Sequence, residues 1–94
     1  MDVTVRLPGT LRECAGGRSV LRVELAPGAT ARGLLDALAL ELPALERRLR
    51  DERGELRRYV NVYVGDEDVR FSGGLEAPVP EGANVSIIPA VAGG

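Results

Sequence analysis

The sequence predicts an α+β fold in which one main helix lies on one face of a mixed sheet, with elements in the order β-β-α-β-β-β. Three observations carry this expectation. Segments toward both ends of the chain alternate apolar and polar residues with period two, as half-buried strands do. Between them, from Ala31, the apolar spacing lengthens to that of a helix. Glycine and proline pairs stand where one pattern gives way to the next.

In chain order, Val3-Thr4-Val5-Arg6-Leu7 predicts a first strand that buries Val3, Val5 and Leu7, with Pro8-Gly9 ending it. A Gly-rich connection through Gly16-Gly17 leads to a second strand over Val20–Leu25, with Leu21, Val23 and Leu25 apolar against Arg22 and Glu24. Pro27-Gly28 interrupts the pattern, and Thr30 stands where a helix N-cap is needed. Leu34, Leu35, Leu38 and Leu42 then recur at helical spacing, predicting a helix over Ala31–Leu42 that Pro43 stops. Ala44–Leu49 predicts a further short turn with Leu45 and Leu49 inward. The charged run Arg47–Arg58, broken by Gly54, reads as a solvated connection. A third strand is predicted over Tyr59–Val64, closed by Gly65-Asp66, and a short fourth over Asp68–Phe71, stopped by Ser72-Gly73-Gly74. The fifth runs from Asn84 to Ala90, after the Pro80-Glu81-Gly82 turn.

Ninety-four residues fit one domain, and a chain of this length buries only about 60–65% of its unfolded surface. With 45% hydrophobic and 28% charged residues the composition is that of an ordinary globular domain. A net charge of -2 has the wrong sign for a protein that must neutralise phosphates, so nucleic acid is not an expected partner. No apolar stretch approaches the roughly 20 residues that span a bilayer, and Met1-Asp2-Val3-Thr4 does not open a secretory leader. No membrane partner and a cytoplasmic location are therefore expected, in keeping with a single Cys14 that has no internal partner.

Two absences restrict the chemistry. There is no histidine, which removes the common proton shuttle and the usual Ser/His, Cys/His and His-metal sites. All twelve basic residues are arginines, which removes Schiff-base chemistry and any isopeptide bond onto this chain's own side chains. The acidic cluster Asp66, Glu67 and Asp68 lacks the spacing of a calcium loop, so no metal is expected. Cys14 reads as an incidental thiol. What remains is the C-terminus: Ala92-Gly93-Gly94 follows the strand-like Val85-Ser86-Ile87-Ile88-Pro89-Ala90-Val91. Glycines there carry no side chain to exclude them from a narrow partner site, and the reactive handle would be the Gly94 α-carboxylate.

The block Val60-Asn61-Val62-Tyr63-Val64-Gly65-Asp66-Glu67-Asp68-Val69-Arg70-Phe71-Ser72-Gly73-Gly74-Leu75, the Glu81-Gly82 turn and the segment from Val85 to Gly94 resemble the ubiquitin-like sulfur-carrier proteins of the MoaD/ThiS type, and within them the CysO branch. The predicted element order matches their β-grasp fold. The likeness spans essentially the whole chain and is motif-specific from Tyr59 onward. It implies a β-grasp domain over 1–90 with a flexible Gly-Gly tail over 91–94, and a carrier rather than an enzyme. In such carriers an E1-like adenylating and sulfurtransferase enzyme uses ATP to activate the terminal carboxylate, here that of Gly94. Sulfur from a persulfide or other donor then displaces AMP, and the resulting thiocarboxylate delivers sulfide to an acceptor enzyme. Gly93 and Ala92 let the tail thread into those partners. The CysO likeness tilts the acceptor toward a cysteine synthase and the pathway toward cysteine biosynthesis. The large subunit of molybdopterin synthase and a thiazole-forming enzyme are the alternatives within this class. A ubiquitin-like modifier conjugated through Gly94 to a lysine of another protein uses the same activated carboxylate, and a plain interaction domain would use none. No cofactor of the chain's own is implied; the ATP belongs to the activating enzyme.

Docking would fall to the folded body. If Val60, Val62 and Val64 face the helix, Tyr59 and Tyr63 face outward; if Val85 and Ile87 face the core, Ile88 likewise points outward. With the last strand beside the third, as in a β-grasp sheet, Tyr59, Tyr63 and Ile88, together with Phe71, are candidates for one partner-docking patch.

Overall fold

A computed structural model of the 94-residue chain describes residues 1–89. The elements run β1 (Asp2–Arg6), β2 (Val20–Glu24), α1 (Ala31–Glu41), α2 (Pro43–Leu49), β3 (Val60–Val64), β4 (Glu67–Asp68) and β5 (Asn84–Pro89), with short 3-10 helices at Gly9–Ala15, Val69–Phe71 and Gly74–Glu76. The strands form one mixed sheet in the order β2-β1-β5-β3-β4. β1 and β5 are parallel neighbours at its centre, while β1 with β2, β5 with β3 and β3 with β4 pair antiparallel. The expected α+β class and element order are thus observed, with β5 beside β3.

One sheet face is apolar because the strands alternate as their sequences do. Val3 and Val5 of β1, Leu21 of β2, Val60 and Val62 of β3, and Val85 and Ile87 of β5 are buried together with Leu34, Leu35 and Leu38 of α1. Complete burial of a side chain of this size is worth about 1.5–3 kcal/mol, so this layer holds the helix on the sheet. At the start of α1, Thr30 takes an extended backbone (φ -113°, ψ 171°), and its Oγ1 accepts from the Gly33 N–H at 3.3 Å, as its position predicts. Pro43 ends α1 and occupies the first turn of α2, where its missing N–H costs nothing. Leu45 and Leu49 of α2 are buried as expected, in two full turns instead of one short one.

Four expectations need correction. The connection after Pro8 is a 3-10 helix, Gly9–Ala15, that brings Leu11 and Ala15 into the core and is closed by Gly16 at φ 68°. The third strand begins at Val60, because Tyr59 lies in a turn closed by the Val60 N–H donating to the Arg57 carbonyl at 3.0 Å. The fourth strand does not run over Asp68–Phe71. Only Glu67 and Asp68 pair with β3, after which the Asp68 Oδ1 accepts from the Arg70 N–H at 2.9 Å and the chain curls into a 3-10 turn that buries Val69. Finally, the run Arg47–Arg58 is not wholly solvated. Arg50 is only 6% exposed, and its guanidinium is paired with Glu46 and Asp36, at 2.9 Å from an oxygen of each.

Candidate functional site

The site is defined by where β5 leads. Because β5 is antiparallel to β3, its last described residue, Pro89, lies opposite Val60, the first residue of β3. Proline has no N–H, so the ladder stops there on the β5 side. Met1 and the start of β1 lie at the other end of the sheet, since Thr4 pairs with Asn84 at the start of β5. The chain beyond Pro89 therefore leaves from the end of the sheet at which β3 begins. Gly94, Gly93 and Ala92 lie outside the described residues, as does the boundary expected between the domain and the tail.

Of the remaining candidates, Ile88 and Tyr63 lie on strands of the sheet, and Tyr59 and Phe71 lie in turns beside it. On β5, Ile88 stands opposite Asn61 of β3, and Ser86 stands between Arg6 of β1 and Tyr63 of β3. Ile88 is 46% exposed and Tyr59, in the turn before β3, is 47% exposed, so the two flank the point where β5 ends. Tyr63 is half-buried, two residues further along β3 and opposite Asp68 of β4. Phe71 is 84% exposed in the turn beyond β4, not on a strand. The structure thus brings Tyr59 and Ile88 to the exit end, with Tyr63 further along the same sheet face and Phe71 beyond its β4 edge.

Sequence reading overlooked Arg70, whose side chain lies back over β3. Its Nη1 donates to the Asn61 Oδ1 at 2.8 Å and its Nη2 to the Arg57 carbonyl at 3.0 Å. The signal was present: an Asp two residues before Arg70 is the spacing of a side-chain-capped turn, and that turn aims the arginine. Nearby, the carboxylate of Asp51 accepts from the Glu55 N–H at 3.1 Å and the Arg53 N–H at 2.9 Å. Those amides hold its carboxyl below the usual carboxylate range. Arg50 has its pKa set by two opposed influences. Burial disfavours its charge, but hydrogen bonds to and the charges of Glu46 and Asp36 outweigh that and raise it.

A cavity of about 480 Å³ beside the exit end is lined by Tyr59, Arg57, Arg58, Asp51 and Glu55. A cavity of about 420 Å³ lined by Met1, Thr30, Pro27, Pro78, Pro80 and Glu81 lies at the opposite end of the sheet from the exit. Among the described residues, no group of three or more His, Cys, Asp or Glu side chains is placed to hold a metal ion, and no helix is long and apolar enough to cross a membrane.

The ThiS family model matches residues 5–94, which includes the C-terminal glycines. The sulfur carrier protein CysO of Mycobacterium tuberculosis is 44% identical over 96 residues, covering all of both chains. Among solved structures, a chain of the Amycolatopsis orientalis BexX/CysO complex is 47% identical, with a TM-score of 0.84 over 98% of this chain and 99% of that one. SAMP1 of Haloferax volcanii is 32% identical, with a TM-score of 0.85 over 100% of both chains. These relatives are small carriers and modifiers rather than enzymes. The chain belongs to the ThiS family, the ubiquitin-like β-grasp proteins of the ThiS/MoaD type, with CysO among its near neighbours.

Proposed function

We propose that the protein is a sulfur carrier whose Gly94 carboxylate is adenylated by an ATP-using E1-like partner and converted to a thiocarboxylate that donates sulfide, in cysteine biosynthesis through a cysteine synthase. The observation that carries this reading is the continuity of family likeness through to Gly94, behind a strand whose exit is flanked by exposed apolar side chains. A carboxylate is a poor electrophile because its oxygens are poor leaving groups. Attack of the Gly94 oxygen on the α-phosphorus of ATP releases pyrophosphate and leaves an acyl adenylate. Attack of a hydrosulfide-level sulfur on that carbonyl forms the C–S bond and breaks the C–O bond, and AMP departs with the electron pair. The product holds a soft nucleophile on a protein that would otherwise be lost as free sulfide. If extended, the five residues Ala90 to Gly94 would reach about 17 Å, enough for Gly94, with Gly93 and Ala92 behind it, to enter a partner's pocket while the body stays outside. Tyr59, Tyr63, Ile88 and Phe71 are the docking residues of this reading, and the named BexX/CysO complex supports binding of a protein partner by such a chain.

The test is intact-mass analysis of protein recovered from its host, followed by analysis of the C-terminal fragment. The expected gain is the difference between one sulfur and one oxygen, confined to the fragment that ends in Gly94. That localisation separates it from oxidation of Met1 or Cys14. Removal of Gly94 is expected to abolish loading and leave the fold intact; a truncated chain that still accepts sulfur overturns the proposal. The relatives named as small archaeal modifiers favour a second reading, conjugation through Gly94 to other proteins, which branched conjugates in the same experiment would reveal.

A further inference from the structure

Arg70 has an unusual placement for an exposed arginine. Its guanidinium is pinned by two hydrogen bonds to neutral acceptors, the Asn61 Oδ1 and the Arg57 carbonyl. Among the described residues no carboxylate lies within 4.0 Å of it; the ion pairs found are Arg32–Glu76, Arg50–Asp36, Arg50–Glu46 and Arg53–Asp51. The nearest acid in sequence, Asp68, spends its Oδ1 on the Arg70 backbone N–H. A guanidinium has five N–H donors, and two are used here, so three remain for a ligand. Long charged side chains ordinarily lose rotamer freedom when they bind, and this one has already lost it.

Its neighbours point to what it meets. Asn61, which it grips, stands directly across from Ile88 on β5, so the cation sits one strand away from the exit of the chain. Phe71 follows it in sequence and is 84% exposed. A pre-ordered arginine without an acidic partner, whose acceptor Asn61 stands opposite the exposed Ile88 and whose chain neighbour Phe71 is exposed, combines the residue types enriched at protein interfaces.

We propose that Arg70 is the specificity-determining residue of the docking face, and that it takes a carboxylate from an acidic segment of the protein that receives the tail. Asp68 and Asn61 are its positioning residues: the first turns the chain so that the side chain lies back over β3, and the second fixes the guanidinium there. The proposal rests on the docking face of the reading above and is independent of its sulfur chemistry.

The test is a nuclear magnetic resonance titration of the isotope-labelled full-length chain with the capped peptide Glu-Asp-Glu-Leu, alongside sodium phosphate at equal ionic strength. The peptide is expected to move the Arg70 Nε–H and the Asn61 side-chain amide, with an effect that falls between about 20 and 200 mM NaCl. Arg70→Ala is expected to abolish the response, and Arg70→Lys, which keeps the charge and loses the planar fork, to retain only part of it. The spectral dispersion of both variants reports on their fold. No movement at Arg70, equal movement at Arg47, Arg48 and Arg53, or an equal response to phosphate would overturn the proposal. With the activating enzyme, Arg70→Ala is expected to raise the KM for the carrier about three- to fivefold at unchanged kcat, the range of an exposed ion pair. A change in kcat alone would also count against it. If the unaltered chain forms no thiocarboxylate, the sulfur-carrier reading fails and the titration still decides the role of Arg70.

Discussion

Arg50 is a cation that the fold has taken almost entirely out of water, and its partners decide what that costs. Its Nε donates to both Glu46 oxygens at 3.0 Å, four residues back on α2, and its Nη2 lies 2.9 Å from Asp36 on α1. One guanidinium therefore ties the two helices together. Glu46 and Asp36 are themselves partly exposed, which screens the pairs, so their worth is well below that of a fully buried triad. The asymmetry is testable. Glu46→Ala leaves the buried cation short of its main acceptor and is expected to cost about 1–2 kcal/mol, whereas Arg50→Met keeps the apolar stem, frees two acids that water can reach, and is expected to cost less than about 1 kcal/mol. Urea midpoints of the two variants compare them directly; equal losses would show that desolvation is not the deciding term. The i,i+4 spacing of Glu46 and Arg50 was visible in the sequence. Its burial was not, because a run of twelve mostly charged residues gives no sign of which one the fold covers.

At the scale of the element, α1 carries its own correction in Gly33. This residue lies in the first turn with negative φ, and a Cβ added to it would meet only the Thr30 Oγ1, at 3.9 Å. Gly33→Ala is therefore expected to stabilise the protein by about 0.5–1 kcal/mol, raising Tm by about 2–8 °C, through the smaller entropy of the unfolded chain. Thr30→Ala, which removes the acceptor for the Gly33 N–H, is expected to lose about 1 kcal/mol. Thermal unfolding of the pair should give shifts of opposite sign. This helix was legible because Leu34, Leu35, Leu38 and Leu42 repeat often enough to define a period. Leu11 and Ala15 are only one such pair, too few to separate a 3-10 helix from a loop. The fourth strand misled for a different reason: Asp68-Val69-Arg70-Phe71 alternates like a strand, but the Asp68 carboxylate offers the backbone a competing hydrogen bond that local alternation does not register.

Across the whole molecule, the loop after α2 gives stability a dependence on acid through Asp51. The Asp51 carboxylate is held below its ordinary pKa chiefly by the Glu55 N–H and then the Arg53 N–H, so its folded value lies under its unfolded one. The stability it contributes is full above the unfolded value of about 3.9 and is lost as pH falls through the lower folded value. Asp51→Asn is accordingly expected to flatten the decline in stability below about pH 4, seen as urea midpoints that change less with pH than those of the unaltered chain; parallel slopes would reject this role. The sheet order was legible only through the family likeness, because local alternation shows that strands exist and not which ones meet. The candidate docking face was half legible: parity placed Tyr63 and Ile88 on one side, while Tyr59 sits in a turn and Arg70 reaches the site from an edge that parity does not describe. The central position of β5 has a mechanical consequence. It is bonded to β3 over five residue pairs and to β1 over three. A load applied at Pro89 along the axis of β5 acts on both ladders at once in shear, instead of peeling them apart bond by bond. Force entering β5 from its C-terminal end is therefore shared between two ladders before either one yields.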